Sequence, residues 1–387
     1  MSWDQVISQG RAKDVLRQAI TQDRVAHAYL FQGPYGTGKR AAAFAFARAL
    51  QCKVAPGEGC MTCSDCSRIN RMVHPDVRFF MPLPEGMDVE EIVKRWATLG
   101  ENPYETVDFI RRPTAKSVTR QVIYRKEFVR DELYPIISYV AFEAAYKVVV
   151  LTDIDAMRED SANSFLKLLE EPTPRSVFIL ITDRPDRLLP TILSRCQPIR
   201  FDPLPPADIA KALMEREGRP ELDAASTSRL ADGSFSTARD LLHDETARGY
   251  RERLVPFMRA VNQNWVDEIL ELIEDVSSQT RDEVRLFLGL LLVLVRDLIL
   301  VRELGPEAPI VNVQERKALV KFVKNLPNPR LEQMVNLVEE AWYLITRNVN
   351  SRLVLTTLTA GLRASMEGHR ALPLVTPLAE QLLSDLE

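Results

Sequence analysis

Short, continuously apolar runs alternate with helical periodicity along the first half of the chain: AYLFQ at 28–32, DVRFF at 76–80, YKVVVLT at 146–152 and SVFILIT at 176–182. Strands without a polar face, spaced by helices, predict a parallel sheet covered on both sides, an α/β domain over residues 1–203. The texture changes at DPLPPADIA, where a proline-rich hinge precedes Asp208, a residue able to cap a helix. Residues 204–245 accordingly read as a small helical unit. From 246 to 387 strand patterns vanish and the periodicity is helical, with breaks at Gly305-Pro306 and Pro327-Asn328-Pro329. Residues 83–120, bounded by Pro82 and carrying Pro84, Gly86, Gly100, Pro103 and Pro113, exceed an ordinary connection and read as an inserted loop.

Length agrees with this division, since 387 residues suit two or three domains. An apolar share of 46% is enough for each to have a core, which excludes a disordered chain or a disulfide mini-scaffold. Lys plus Arg number 50 against 54 Asp plus Glu, a net charge of −4 with no global attraction to nucleic acid or anionic lipid. Any DNA contact is therefore expected to be local or shared with partners. The start, MSWDQVISQG, has neither a basic nor an apolar export segment, and the longest uncharged apolar run, Leu286–Val295, is too short to span a bilayer. The expectation is a cytoplasmic protein without a membrane partner, where reducing conditions turn clustered thiols toward metal rather than disulfides.

Candidate chemistry begins where AYLFQ runs into Gly33-Pro-Tyr-Gly36-Thr37-Gly38-Lys39-Arg40 and then an alanine-rich helix. This is the strand, loop and helix order of a P-loop, in which glycines let backbone N–H groups converge on phosphate and Lys39 supplies a point charge. The position that should offer a Mg2+-ligating hydroxyl holds Arg40, which cannot ligate a metal. At the end of YKVVVLT, Thr152 stands where a metal-binding carboxylate belongs and Asp153 where a general base belongs. Two defects at metal-handling positions argue against a competent Mg2+ site, while the loop itself stays compatible with ATP or ADP and whether one is bound stays open.

Cys52, Cys60, Cys63 and Cys66 lie on one short Gly- and Pro-containing stretch, 52–66. Four thiolates suit tetrahedral Zn2+, and four filled positions leave none for water, so such a site is structural. A redox disulfide pair and an iron–sulfur cluster are the other uses of this set. Cys196 stands alone and reads as a small apolar residue. His27, His74, His243 and His369 show no ligand spacing, and no chemistry is assigned to them.

HAYLFQGPYGTGK, the cysteine stretch, SANSFLKLLEEPTP at 161–174 and TILSRCQPIRF at 191–201, in that order, resemble the bacterial clamp-loader branch of the AAA+ family. NVNSRLVLTTL at 348–358 is similar to the family's closing helix. The resemblance implies an AAA+ domain with its zinc module, a helical lid and an all-α collar domain. It implies work with gamma/tau and delta clamp-loader subunits, the sliding clamp and, through the assembled complex, primer-template DNA. Arg195 in Ser194-Arg195-Cys196 matches the arginine that reaches a neighbouring subunit's nucleotide. Thr182 matches a γ-phosphate sensor, and Val6 and Ile7 the apolar adenine pocket. Ser236 replaces a nucleotide-contacting arginine of the lid, one turn before Arg239. Arg40 and Thr152-Asp153 depart from the ATPase members, so the resemblance implies a subunit that lends Arg195 without hydrolysing ATP. The alternatives are an active gamma/tau-type ATPase with an unusual magnesium site and a zinc-dependent nucleic-acid-binding module, the latter without a basic patch.

Overall fold

The computed structural model describes residues 2–111, 121–139, 141–219, 221–243, 245–327, 329–347 and 349–374. Residues 112–120 of the expected insertion, Asn328 and Asn348 fall outside these. The chain divides into two compact units, residues 1–212 with 232–237, and residues 213–231 with 238–387.

In the first unit a 3-10 turn, Ser2–Gln5, precedes α1 (Gly10–Thr21), β1 (Ala28–Gln32), α2 (Lys39–Gln51), α3 (Ser64–Asn70) and β2 (Val77–Phe80). Then come β3 (Leu83–Pro84), α4 (Val89–Glu101), β4 (Val122–Ile123), a π-helical turn Phe128–Leu133, α5 (Tyr134–Ser138) and β5 (Lys147–Leu151). α6 (Glu159–Glu170), β6 (Ser176–Thr182), α7 (Pro190–Leu193) and β7 (Gln197–Arg200) follow. Five strands form one sheet in the order β2-β5-β6-β1-β7, every neighbour parallel. β1 lies inside the sheet, Leu30 opposite Leu180 on one side and Pro198 on the other. From there the chain crosses to β2 at the far edge, and ligands of open parallel sheets bind at the carboxyl ends of strands where such a reversal occurs. The P-loop leaves β1 at that point.

The four apolar runs are strands, each buried on both faces except for the edge strand β2, where Arg78 is exposed. β7 joins them although its sequence, QPIR, carries no apolar run. It is an edge strand with only Ile199 buried, and an edge tolerates Pro198 because one side of its backbone needs no partner. The inserted stretch is more structured than the expected loop: Asp88 accepts a hydrogen bond from Glu90 N and opens the thirteen-residue α4. Asp208 does not cap its helix. It lies within the first turn of α8 (Pro206–Glu217) and accepts the Ser8 hydroxyl. Cys196 is buried in the sheet core, as a small apolar residue would be.

On that core Phe165 of α6 meets Phe178 of β6 edge to face, ring centres 5.4 Å apart, both fully buried. Phe165→Ala is expected to cost about 3–5 kcal/mol of stability, read from the urea midpoint of the far-UV signal. A change below about 1 kcal/mol is expected only if the site collapses around the lost ring.

The second unit is helical among its described residues, with α9 (Glu221–Leu230), α10 (Phe235–His243), α11 (Glu245–Gln263), α12 (Val266–Ser278) and α13 (Arg281–Leu304), then α14 (Arg316–Lys324), α15 (Leu331–Thr346) and α16 (Ser351–Met366). α8 passes from the first unit into the second at Leu213, and α10 at Ala238. α13 contains the run Leu286–Val295 and is the hub, opened by a Thr280/Glu283 capping box and buried at Leu288, Leu291, Leu294, Val295 and Leu298. No helix of the described residues is long and apolar enough to cross a membrane.

Candidate functional site

The loop after β1 has the backbone of a phosphate cradle. Gly36 and Gly38 hold φ of 71° and 98°, and Gly38 is immediately followed by the first residue of α2. What surrounds the cradle is the chain itself. Lys39 is buried and folds back on the loop, its Nζ donating to Gly33 O at 2.6 Å and Pro34 O at 2.5 Å. Burial pushes its pKa down to about 8, with Asp183 opposing the shift. Arg40 turns aside and donates to Glu105 O at 2.7 Å, which separates the two neighbouring charges. Thr37 is fully buried and its hydroxyl donates to Pro34 O.

Residues 102–111 of the insertion lie over this loop. Tyr104 is buried with its hydroxyl against Gly38, where a Cβ would come within 2.7 Å of it. The same hydroxyl accepts from Ile7 N at 2.9 Å, so Ile7, buried beside Val6, is tied to the cover of the loop. Ser236 donates to Tyr104 O at 2.6 Å, so the residue in the place of a lid arginine holds the cover down. Arg239 is occupied elsewhere, in an ion pair with Glu217.

At the centre is Arg111, which the sequence reading missed. Its guanidinium binds Asp153 at 2.8 Å, Asp183 at 2.5 Å and Asp108 at 3.1 Å, and stacks 4.1 Å from the Tyr35 ring. Burial would lower its pKa, but the three carboxylates outweigh burial and raise it. Asp153 is held in the left-handed region at φ 48°, where burial pushes its carboxyl up against the pull of Arg111. An aspartate locked to a guanidinium is not free to activate water. Thr182 is also committed: its hydroxyl donates to Asp155 Oδ1 at 2.8 Å and accepts from Arg184 N at 2.9 Å. Thr152 offers no carboxylate, and its carbonyl accepts from Tyr124 Oη at 2.8 Å.

The fold thus brings Gly36, Gly38, Lys39, Arg40, Thr152, Asp153 and Thr182 to one cavity, and fills it with Tyr104, Asp108, Arg111 and Asp183. The space left is about 30 Å3, room for about two waters and well below the roughly 300–1,000 Å3 of ligand pockets. Arg195 is not among the residues lining it. It follows α7, one-third exposed, and donates to Glu170 at 2.7 Å and Thr191 O at 2.9 Å.

The cysteine cluster is assembled by the end of α2, a looped stretch and the start of α3. Cys52 N donates to Arg48 O and so extends α2 to the first sulfur, while Cys63 caps α3. All four Sγ atoms lie within 4.8 Å of one another, and none is in a disulfide. Cys52 to Cys63 is 3.9 Å and Cys60 to Cys66 is 4.0 Å, close to the about 3.8 Å edge of a tetrahedron with 2.3 Å metal–sulfur bonds. Backbone N–H groups of Ala55 and Cys60 point at Cys52 Sγ, that of Cys63 at Cys60 Sγ and that of Cys66 at Cys63 Sγ. These donors favour thiolates: the bond from Cys63 N leads the effects that bring Cys60 down to about 6, whereas burial raises Cys66. The set can hold one tetrahedral ion.

Nearby, Asp65, His74 and Glu143 also converge, which the sequence reading did not anticipate. His74 Nδ1 accepts from Asp76 N, so its proton sits on Nε2 and blocks a metal there, while Arg68 bridges Asp65 and Glu143.

A family model described as DNA polymerase III, delta subunit, matches residues 8–205, just over half of the chain. The chain is similar to DNA polymerase III subunit delta' of Bacillus subtilis (strain 168), 29% identical over 301 residues, 72% of this chain and 80% of the relative. It is 34% identical over 238 residues to subunit delta' of Pseudomonas aeruginosa, 59% of this chain and 60% of the relative. With subunit tau of Bacillus subtilis it shares 25% over 362 residues, 88% of this chain but 57% of the relative. A P-loop on a five-stranded parallel sheet, a cysteine cluster and these matches agree: the chain belongs to the DNA polymerase III clamp-loader subunit family, whose members include the delta' and tau/gamma subunits.

Proposed function

We propose that this chain is a non-hydrolysing subunit of a DNA polymerase III clamp loader, a stator that holds its place in the assembly and lends Arg195 to the nucleotide site of a neighbouring ATPase. The observation that carries this reading is the filled P-loop. Arg111 is salt-bridged to Asp153 and Asp183 in the cavity that Lys39 also lines, and the positions expected to handle Mg2+ hold Arg40, Thr152 and an Asp153 paired with that guanidinium. A cation salt-bridged among carboxylates, beside a loop whose Gly38 is covered by Tyr104, itself hydrogen-bonded to two other segments, competes directly with Mg-ATP. Gly33, Gly36, Thr37, Gly38, Lys39 and Arg40, the candidate nucleotide ligands, then serve the packing of the insertion.

We read the ion of the cysteine cluster as structural Zn2+, held by Cys52, Cys60, Cys63 and Cys66. Sulfur-only ligation with no open position suits Zn2+ and gives it no catalytic step. The partners are gamma/tau and delta subunits, the sliding clamp and primer-template DNA gripped by the whole assembly, which fits a chain of net charge −4.

Reconstitution tests the role. A loader lacking this chain is expected to lose clamp loading on primed DNA, and adding the chain back restores it. Lys39→Ala is expected to restore loading as well as the wild type does, because its ammonium supports only two loop carbonyls. Full loading without the chain contradicts the role, and failure of folded Lys39→Ala to restore it points to a working nucleotide site.

A further inference from the structure

Arg48 is almost wholly buried, 2% exposed, and has no carboxylate partner among the described residues. Its guanidinium donates to three neutral oxygens: Ser2 Oγ at 2.6 Å, Gln5 Oε1 at 2.7 Å and Asn70 Oδ1. A lone ionised group in a protein interior costs several kcal/mol unless an opposite charge compensates it. Burial brings its pKa down to about 10, so the ionised form calls for an anion nearby. Position supplies one. Arg48 lies one helical turn before Cys52, Asn70 ends the helix that carries Cys66, and Gly59, beside Cys60, packs against the Arg48 and Ser2 side chains. A divalent ion with four thiolates carries a net charge of −2, so the compensating anion is the filled cluster.

The oxygens that Arg48 grips also matter. Ser2 and Gln5 bound the 3-10 turn at the start of the chain, which rests on the cysteine stretch through Ser2 N to Gly59 O at 3.2 Å and Trp3 Nε1 to Gly57 O at 3.0 Å. The next residues are Val6 and Ile7, and Ile7 N holds the tyrosine that covers the P-loop. We propose that Arg48 is the counter-charge of the filled cysteine cluster and a positioning residue that couples ion binding to docking of the N-terminal segment, residues 2–7. This rests on reading that ion as zinc.

The test uses the full chain, with Zn2+ affinity measured by competition against a chromophoric chelator and hydrogen exchange followed at residues 2–7. In wild type, adding Zn2+ is expected to slow exchange across that segment. Arg48→Met, which keeps the bulk and removes the charge, is expected to weaken Zn2+ binding about 10- to 100-fold. Arg48→Lys is expected to recover most of that loss because it retains a cation. Gln5→Glu preserves the hydrogen bond but gives Arg48 another anion, so it lowers Zn2+ affinity in a protein whose packing is kept. A purely structural hydrogen bond would not produce that effect, and the variant serves even if Arg48→Met fails to fold. Wild-type protein that binds no Zn2+ overturns the zinc reading and this inference with it. Wild-type binding matched by unchanged affinity in Gln5→Glu, or in folded Arg48→Met, overturns the role of Arg48 alone.

Discussion

Removing the ion from the cysteine cluster, by chelator or by Cys66→Ala, is expected to lower the thermal midpoint of the first unit by about 8–16 °C. The figure follows from linkage, because an ion at about a thousand times its dissociation constant adds about 4 kcal/mol to the folded state, and each kcal/mol moves the midpoint of a domain of this size by about 2–4 °C. Locally the effect is larger. Residues 52–63 contain turns and no strand, and the sulfurs hold this stretch between α2 and α3. Without the ion, burial pushes the Cys66 thiol up and the cluster loses the charge that compensates Arg48. The sheet keeps its own apolar core, so the expected product is a destabilised unit with an opened 52–76 region rather than an unfolded chain. Circular dichroism melts with and without chelator, together with metal analysis, check this. Correctly folded protein without metal, melting at the same temperature, contradicts the assignment.

Arg195→Ala, in a loader reconstituted with gamma/tau-type ATPases, is expected to slow hydrolysis at the adjoining site by about 10^3- to 10^5-fold, the range for an arginine supplied in trans. In this chain Arg195 is paired with Glu170, both side chains partly exposed. Such a pair is worth about 0–1 kcal/mol and gives way readily to a phosphate. Glu170→Ala should therefore leave hydrolysis intact, and Arg195→Ala should leave this chain's own stability within about 0.5 kcal/mol. Arg195→Lys is not expected to rescue, since an ammonium lacks the planar fork that spans two phosphate oxygens. Single-turnover hydrolysis in the assembled loader is the measurement. An unchanged rate with Arg195→Ala contradicts the finger role.

The features legible in the sequence are those whose cause is local. Three strands announced themselves because each is buried in a near-continuous apolar run and β2 because its apolar residues flank one exposed Arg78, and the cysteine ligands because they sit within fifteen residues. β7 was illegible because Gln197, Pro198 and Arg200 face outward at a sheet edge. α4 was hidden by the prolines and glycines around it, although Asp88 and the spacing of Ile92, Val93 and Trp96 were there to be read. The occupant of the nucleotide site had no local signature. Besides nearby Asp108, Arg111 is identified by carboxylates 42 and 72 residues away, which the sheet topology brings together at the ends of two neighbouring strands. The degeneracy at Arg40, Thr152 and Asp153 was visible in sequence, but the cavity filled by the chain itself appears only once the insertion is folded over the P-loop.

This P-loop is expected to turn over no ATP. Steady-state ATP hydrolysis by the purified, zinc-loaded chain with excess Mg2+, compared with Lys39→Ala, tests it most directly. Background rates identical in the two proteins are expected; robust Mg2+-dependent turnover in wild type, abolished by Lys39→Ala, would contradict it.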